Sequence, residues 1–404
     1  MDVTSLGCLA AAAGTFSSHD FTDPAGRQGR LIEEVIIASW FLVFFPFTPS
    51  EAQAVPALFM FGDSIVDNGN NAILLPKETA SRFLPYGFDF PTGPTGRFTN
   101  GMNPGDVFAN LLNLPRFIPA VLDPKAKGEM ILNGVNYASG GSGILDYPNS
   151  EVISMNNQIK LFENTTLPEL RAFLNKTQLS SHVEKSIFAF IAGGNDCIEL
   201  CQRPIGEKEC KENLLLVMGN YTLQMKLFAE QSLNLKIYNV KLYGLGARKF
   251  VLFGVTPLGC NPAYLPSNNY RCREDLNFAA QSFNNMLRSL VDTLNQDMPA
   301  ANFVHVNAYK ILYDVYRNPA PEGFRVVDKA CCVTNSTDST KGRACVPGST
   351  PCKNRHEYMY YDGAHCTAAT YLILVGKAFY SKHSEEVYPV NIARLAAESG
   401  LPSF

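Results

Sequence analysis

The stretch ALFMFGDS, residues 57–64, joins a short apolar run to a glycine, an aspartate and a serine. Four further apolar runs of similar length end in glycine, proline or asparagine, and they cover residues 134–138, 186–191, 249–255 and 301–306. Segments of helical length separate the five runs. This alternation predicts an α/β fold in which five mostly parallel strands form a central sheet covered by helices.

Two segments near the carboxyl terminus carry clear helix signals. Residues 276–294 place large apolar side chains near helical spacing and predict an amphipathic helix. Thr367 is predicted to cap a last helix that continues through Phe379. In open α/β sheets, functional groups collect just past the carboxyl ends of the strands, so we expect the site at the glycine-rich strand exits.

The first 54 residues have the pattern of an export signal. Residues 35–47 are continuously apolar, follow basic residues and are too short to span a bilayer comfortably. Residues 52–54 read Ala-Gln-Ala, which matches the small-residue cleavage site that signal peptidase recognises. We therefore predict an N-terminal extension and signal peptide over residues 1–54 and one globular domain over residues 55–404. An uncleaved signal anchor and a buried strand are the alternatives.

Composition excludes some classes and supports export. The net charge of -3, from 34 basic and 37 acidic residues, offers no bulk attraction to nucleic acid or anionic membranes. Eleven cysteines favour an oxidising compartment. Since no second apolar run has membrane-spanning length, we expect a secreted product with no stable membrane span. Glycosylation sequons lie at Asn164, Asn175, Asn220 and Asn335.

Ser64 is the candidate nucleophile. A serine that directly follows a strand and a glycine can project its hydroxyl from the edge of a sheet. It remains a weak nucleophile until a base takes its proton. The alternative is an ordinary strand-to-helix turn in which Ser64 caps the helix.

His365 is the candidate general base and Asp362 the carboxylate that would orient it. Both lie on a predicted loop before the last helix. A carboxylate three residues before an imidazole can hold one ring nitrogen and stabilise the imidazolium that forms during proton transfer. His305 lies inside an apolar run and is predicted to be structural. No comparable carboxylate spacing accompanies His182, His356 or His383.

Two glycine-rich strand exits offer donors for a developing oxyanion. Gly140 and Gly141 follow the second apolar run and can present backbone N–H groups. Asn195 follows the third run and offers its side-chain amide. Tight turns without a catalytic role are the alternative for each exit.

Together these blocks resemble the plant GDSL esterase/lipases of the SGNH hydrolase superfamily. The resemblance rests on four ordered blocks at residues 62–64, 136–141, 193–196 and 362–365, and it extends from residue 55 to the carboxyl terminus. It implies a flavodoxin-like, three-layer α/β/α sandwich. It also implies hydrolysis of carboxylic esters. Nothing in the sequence implies a metal or organic cofactor.

The resemblance also implies roles for single residues. Ser64 would attack the acyl carbon, His365 would take its proton and Asp362 would orient His365. The N–H groups of Ser64 and Gly141, with the Asn195 amide, would hold the oxyanion. The expected substrate is an acyl lipid, an acylated small molecule or an acylated polysaccharide in the cell wall or apoplast. An acyltransferase using the same acyl-enzyme, and a non-catalytic ester- or glycan-binding relative, are the alternatives.

The sequence departs from the family pattern at three places. Residues 225–240 are extra and predict a protruding helix or looped-out segment, as a retained intron would produce. Cys197 and Cys366 stand where tyrosine and proline are expected, and Ser142 stands where alanine is common. We hypothesise a Cys197–Cys366 disulfide, with a free buried Cys366 as the alternative.

Eight of the other nine cysteines, all except Cys8 in the predicted extension, are expected to form four more bridges. Cys201 would pair with Cys210, and Cys260 with Cys272. A zinc site is a weaker interpretation, because the spacings do not form two C-x-x-C pairs. Two further bridges, with the connectivity left open, would join Cys331, Cys332, Cys345 and Cys352.

Overall fold

A computed structural model describes residues 55–398, apart from residues 149, 203–204, 228–245, 266–267 and 335–342. The predicted extension and signal peptide over residues 1–54 lie outside the described residues, as does the sequon at Asn335. The described residues fall within one compact unit. Of the extra segment, only residues 225–227 are described; they end a long helix, and Met225 is buried in the core.

A central sheet of six strands organises the described part of the chain. Its strands are β1 (Leu58–Gly62), β2 (Gly134–Asn136), β3 (Ile187–Ile191), β4 (Lys249–Phe253), β5 (Asn302–Val306) and β8 (Val387–Tyr388). The order is β2-β1-β3-β4-β5-β8; the first five are parallel, and β8 pairs antiparallel with β5. The five predicted strands are confirmed, and β8 adds a two-residue edge too short to show a hydrophobic pattern. A separate parallel pair consists of β6 (Val326–Ala330) and β7 (Tyr358–Tyr360).

Helices occupy most of the connections between strands. The α-helices are α1 (Asn70–Leu74), α2 (Pro104–Leu111), α3 (Met155–Leu161), α4 (Leu167–Phe173), α5 (Lys176–Lys185), α6 (Gly194–Cys201), α7 (Glu207–Leu227), α8 (Glu274–Asp297), α9 (Ala308–Arg317), α10 (Ala368–Tyr380) and α11 (Ile392–Ala397). One π-helical turn spans Phe162–Thr166. Short 3-10 turns span Ala80–Arg82, Gly128–Ile131, Leu258–Cys260, Ala320–Glu322 and Arg355–Glu357. The predicted amphipathic helix is α8, and the side chain of Thr367 caps α10 by accepting from the Thr370 N–H.

Helices cover both faces of the sheet, because alternate strand residues point in opposite directions. On one face, Phe61 stacks between Tyr137 and Phe190 with ring centroids 4.8 Å apart in each pair, and α3 to α8 pack over this layer. On the other face, Phe108 of α2 contacts Phe253 of β4 and Phe379 of α10. The three-layer α/β/α sandwich is therefore confirmed.

Candidate active site

A hydrogen-bonded chain of three side chains lies past the carboxyl end of the sheet. His365 Nε2 is 2.8 Å from Ser64 Oγ, and His365 Nδ1 is 2.8 Å from Asp362 Oδ2. These distances allow the imidazole to take the serine proton while the carboxylate holds the opposite ring nitrogen. The structure therefore brings together the three predicted residues, although 301 residues separate Ser64 from His365.

The turn after β1 places the Ser64 hydroxyl. Gly62 has a φ of +153°, and a Cβ at this position would lie 2.2 Å from the Ile191 carbonyl oxygen, so only glycine fits here. The Asp63 N–H donates to the same Ile191 oxygen, and the Ile65 N–H donates to Asp63 Oδ1 at 3.0 Å. The chain thus leaves the sheet sharply and presents Ser64 at its edge.

Asp362 receives four hydrogen bonds and its side chain is fully buried. Oδ1 accepts the backbone N–H groups of Ala364 and His365, each at 2.7 Å. Oδ2 accepts His365 Nδ1 and also the Tyr86 hydroxyl, at 2.6 Å. Tyr86 is a contact that the sequence did not predict, because 276 residues separate it from Asp362 and no spacing signals their meeting.

The electrostatic surroundings favour a protonated His365 once a proton has been transferred. Burial acts to lower the pKa of His365, but the charge and hydrogen bond of Asp362, aided by the charge of Asp63, outweigh it. The pKa therefore lies above the ordinary value of 6.5. Burial also raises the pKa of Asp63 to about 6.

Two candidate oxyanion donors follow the strands on either side of β1. The Gly140 N–H donates to Asp67 Oδ2 at 3.0 Å, whereas the exposed Gly141, with φ +85°, donates no backbone hydrogen bond within the described residues. Asn195 Nδ2 donates to the Ser142 carbonyl oxygen at 2.8 Å, which leaves the second amide N–H for another acceptor. The geometry thus favours Gly141 over Gly140.

Comparison with known proteins places the chain in a family. The model of the GDSL-like lipase/acylhydrolase family matches residues 58–377. The chain belongs to this family. Three GDSL esterase/lipases of Arabidopsis thaliana are similar to it. The first is 36% identical over 88% of this chain and 96% of the relative. The second is 38% identical over 84% of this chain and 89% of the relative, and the third is 36% identical over 91% of this chain and 99% of the relative. As a GDSL esterase/lipase, the protein is a carboxylic-ester hydrolase.

Gln158 supports the nucleophile turn of this GDSL hydrolase. Its Oε1 accepts the Gly62 N–H at 2.9 Å, and its Nε2 donates to the Gly62 carbonyl oxygen at 2.8 Å. Strand β2 stops opposite Met60, but the Ser139 N–H beyond it still donates to the Gly62 carbonyl oxygen at 3.1 Å, so Gln158 replaces a neighbouring strand only for the Gly62 N–H. Ser142 Oγ donates to the same carbonyl oxygen at 2.7 Å, which gives a structural role to a position with no predicted one.

Asp67 joins the turn that follows Ser64 in the GDSL hydrolase to the turn that carries Gly140 and Gly141. The carboxylate accepts the N–H groups of Gly69 and Asn70 at 2.7 Å each, that of Asn71 at 3.2 Å and that of Gly140 at 3.0 Å. Burial raises the pKa of Asp67 to about 6, against the effect of these four donors. A lone aspartate in a loop carries no sequence signal for such a role.

The predicted Cys197–Cys366 bridge is wrong, because both thiols are free and buried. Cys197 lies on α6, which packs against α7 and α8 on one face of the sheet. Cys366 precedes α10, which packs against α2 on the other face. Both residues neighbour the active site in sequence, but the sheet separates the layers to which they belong. Burial raises the pKa of both thiols.

Four disulfides form in the described part of the GDSL hydrolase. The predicted Cys201–Cys210 and Cys260–Cys272 pairs are confirmed. The connectivity left open by the sequence is Cys331–Cys352 and Cys332–Cys345. The last bridge lies beside the triad, since the Cys345 N–H donates to the Tyr86 hydroxyl at 3.0 Å.

Replacing Asn195 with alanine is expected to lower kcat by about 10²–10³-fold, the usual cost of losing one oxyanion donor. KM should change little, because the donor acts mainly on charge that develops in the transition state. Steady-state kinetics on a short-chain ester measure both constants. A melting curve checks that loss of the hydrogen bond to Ser142 leaves the fold intact, and a fall in kcat below about threefold would remove Asn195 from the oxyanion site.

Replacing Tyr86 with phenylalanine should lower kcat by about 10–100-fold, since a hydrogen bond to a charged group contributes about 1.5–3 kcal/mol. The change removes a donor from Asp362 and leaves the Cys345 N–H without its acceptor. Tyr361→Phe is the matched control, because this buried hydroxyl donates to the Pro85 carbonyl oxygen and does not touch Asp362. Equal losses of kcat in the two variants would show that Tyr86 acts only through stability.

Proposed function

We propose that Ser64 carries an acyl-enzyme intermediate. Ser64 Oγ forms a bond to the ester carbonyl carbon while its proton passes to His365 Nε2. Collapse of the tetrahedral adduct breaks the bond to the leaving alcohol, which takes the proton from His365. Water then repeats the two steps, releasing the acid and restoring the serine hydroxyl. The Ser64–His365–Asp362 chain of hydrogen bonds is the observation that carries this proposal.

The oxyanion of each adduct would be held by three donors. These are the backbone N–H groups of Ser64 and Gly141 and the second amide N–H of Asn195. Strand order supports this assignment, because β2 and β3 flank β1 and bring both outer donors alongside the nucleophile. The anchoring of the Gly141 turn through Asp67 keeps the donors in place before the substrate arrives.

The disulfides, the glycosylation sequons and the family support a proposal for the substrate and for its location. We propose an acyl lipid, acylated small molecule or acylated polysaccharide as substrate, met outside the cell in the wall or apoplast. Four disulfides are typical of proteins that fold in an oxidising compartment. Asn164, Asn175 and Asn220 are exposed and so are accessible as glycan carriers. Among the described residues, no helix has the length and apolarity needed to cross a membrane.

A panel of esters with acetyl, butyryl, octanoyl and palmitoyl chains tests the proposal and ranks the substrates. Purified protein should hydrolyse at least one of them, and Ser64→Ala should hydrolyse none above the uncatalysed rate. A mass increase equal to the acyl group on Ser64, trapped by acid quench, would identify the intermediate. Turnover without any labelled serine would contradict the acyl-enzyme.

The pH dependence follows from the raised pKa of His365. The imidazole accepts the Ser64 proton only when it is neutral, so kcat/KM should be low in acid and rise with pH. Because the His365 pKa lies above 6.5, the inflection should fall above that value. A pH–rate profile on a neutral ester measures it, and an inflection below 6.5 would show that Asp362 does not outweigh burial.

A further inference from the structure

Arg343 lies against the loop that carries the base. The Gly363 N–H donates to the Arg343 carbonyl oxygen at 2.7 Å, and a Cβ on Gly363 would lie 2.9 Å from Arg343 Cα. Gly363 directly follows Asp362. The disulfide of Cys345, two residues beyond Arg343, ties this strip of chain to Cys332. The backbone of Arg343 is therefore fixed relative to the triad.

The guanidinium of Arg343 is held in one orientation by Tyr264. Nη2 donates to the Tyr264 hydroxyl, and the guanidinium carbon lies 5.0 Å from the centre of the Tyr264 ring. Tyr264 is itself anchored near the same loop, since the neighbouring Ala263 N–H donates to the Gly363 carbonyl oxygen at 2.9 Å. A cation held in this way loses little freedom when it binds an anion.

The charge of Arg343 is not balanced within the described residues. No described carboxylate forms an ion pair with it, and its Nε is buried without a hydrogen-bond acceptor there. Buried donors without a partner are rare in folded proteins. Three other arginines are each paired with an aspartate: Arg97 with Asp106, Arg273 with Asp275 and Arg355 with Asp89.

Arg343 is positioned on the side of the site where the alcohol portion of the ester would lie. In the proposed mechanism His365 hands its proton to the departing alcohol, so the alcohol portion of the ester lies on the His365 side of Ser64. Arg343 lies on that side, close enough that its charge opposes protonation of His365 and acts to lower the pKa of that residue. The proposed oxyanion donors Gly141 and Asn195 follow β2 and β3, whereas Arg343 contacts the loop that carries His365.

We propose, building on the proposed function, that Arg343 binds an anionic group on the alcohol portion of the ester. The Nη N–H groups that the Tyr264 contact does not use can donate to two oxygens of a carboxylate or a phosphate, the usual partners of a guanidinium. The substrate class is then esters of hydroxy acids or of phosphorylated alcohols. The products are the free acid and an alcohol that keeps its negative charge.

Matched phenyl butyrates test this selectivity. The meta-carboxyphenyl ester and its neutral meta-carbamoyl analogue differ by one charge, and a meta-phosphoryloxy ester provides the second anion. Wild-type protein should hydrolyse the carboxylate with a kcat/KM about tenfold or more above the carbamoyl ester, mainly through KM. A higher ratio for the phosphoryloxy ester assigns a phosphate as the preferred group, and a lower one assigns a carboxylate.

Variants then assign the preference to Arg343. Arg343→Gln should bring the ratio of anionic to neutral kcat/KM close to one, and Arg343→Lys should keep part of it. Arg273→Gln is the control, since Arg273 lies 5.7 Å from the same Tyr264 ring but is already paired with Asp275, and it should leave the ratio unchanged. Added salt should lower the ratio of anionic to neutral kcat/KM for the wild-type protein. This test does not depend on the folding of any variant.

The outcomes separate this inference from the function on which it rests. Equal hydrolysis of anionic and neutral esters by wild-type protein, or a ratio that survives Arg343→Gln, overturns the role of Arg343 while ester hydrolysis stands. Failure of wild-type protein to hydrolyse any of the esters would instead count against the proposed function.

Discussion

Ser64→Ala is expected to lower kcat by about 10⁶-fold, the order of loss seen when the nucleophile of a serine triad is removed. His365 would keep its contact with Asp362 but would have no hydroxyl to activate. The oxyanion donors would remain, so a small residual rate above the uncatalysed reaction is expected. Progress curves with high enzyme concentration on the best ester of the panel measure this loss.

Ser289→Ala is the control for this loss. Ser289 lies on the exposed side of α8, and within the described part of the chain its hydroxyl donates only to the Asn285 carbonyl oxygen of the same helix. It should keep full activity and full labelling by a serine-directed phosphonate. Ser64→Ala should not be labelled. Residual activity above about one per cent of the wild-type rate would place the nucleophile elsewhere.

Asp362→Asn is expected to lower kcat by about 10⁴-fold, as in other triads where the carboxylate becomes an amide. All four contacts of Asp362 are donors: Tyr86, Ala364 N–H, and both Nδ1 and the backbone N–H of His365. An amide has one oxygen, so either the backbone pair or the Tyr86–His365 pair must face an NH₂ group. If the NH₂ group faces Nδ1, the imidazole loses the tautomer that accepts the serine proton; if it faces the backbone pair, the loop that carries His365 loses two hydrogen bonds.

The pH profile distinguishes this effect from simple unfolding. Without the Asp362 charge, burial should lower the pKa of His365, so the inflection in kcat/KM should move toward acid. Asp314→Asn is a surface control, since Asp314 pairs only with Lys310 on α9 among the described residues. An unchanged inflection in Asp362→Asn, with a normal melting curve, would contradict the assigned role.

The parallel sheet and the triad could be predicted because both leave local signals. Each strand is a short apolar run with a turn residue at its end, and parallel strands bring their carboxyl ends to one edge. Ser64 follows such a run directly, and the spacing of Asp362 and His365 makes their contact nearly local. Edge strand β8, with two residues, has no pattern to detect.

The supporting contacts could not be predicted because they join distant segments. Tyr86 meets Asp362 across 276 residues, and Gln158 meets Gly62 across 96. The Cys197–Cys366 hypothesis failed for a related reason. Closeness to active-site blocks in the sequence does not tell on which face of the sheet a side chain lies.

The long separation between Ser64 and His365 has a consequence for the newly made chain. At about 5–20 residues per second, roughly 15–60 s pass between synthesis of the nucleophile and of its base. During that interval the serine cannot hydrolyse esters, including those of the membrane through which we propose the chain is exported. The order of residues along the chain thus delays activity much as a removable pro-segment would, without any cleavage step.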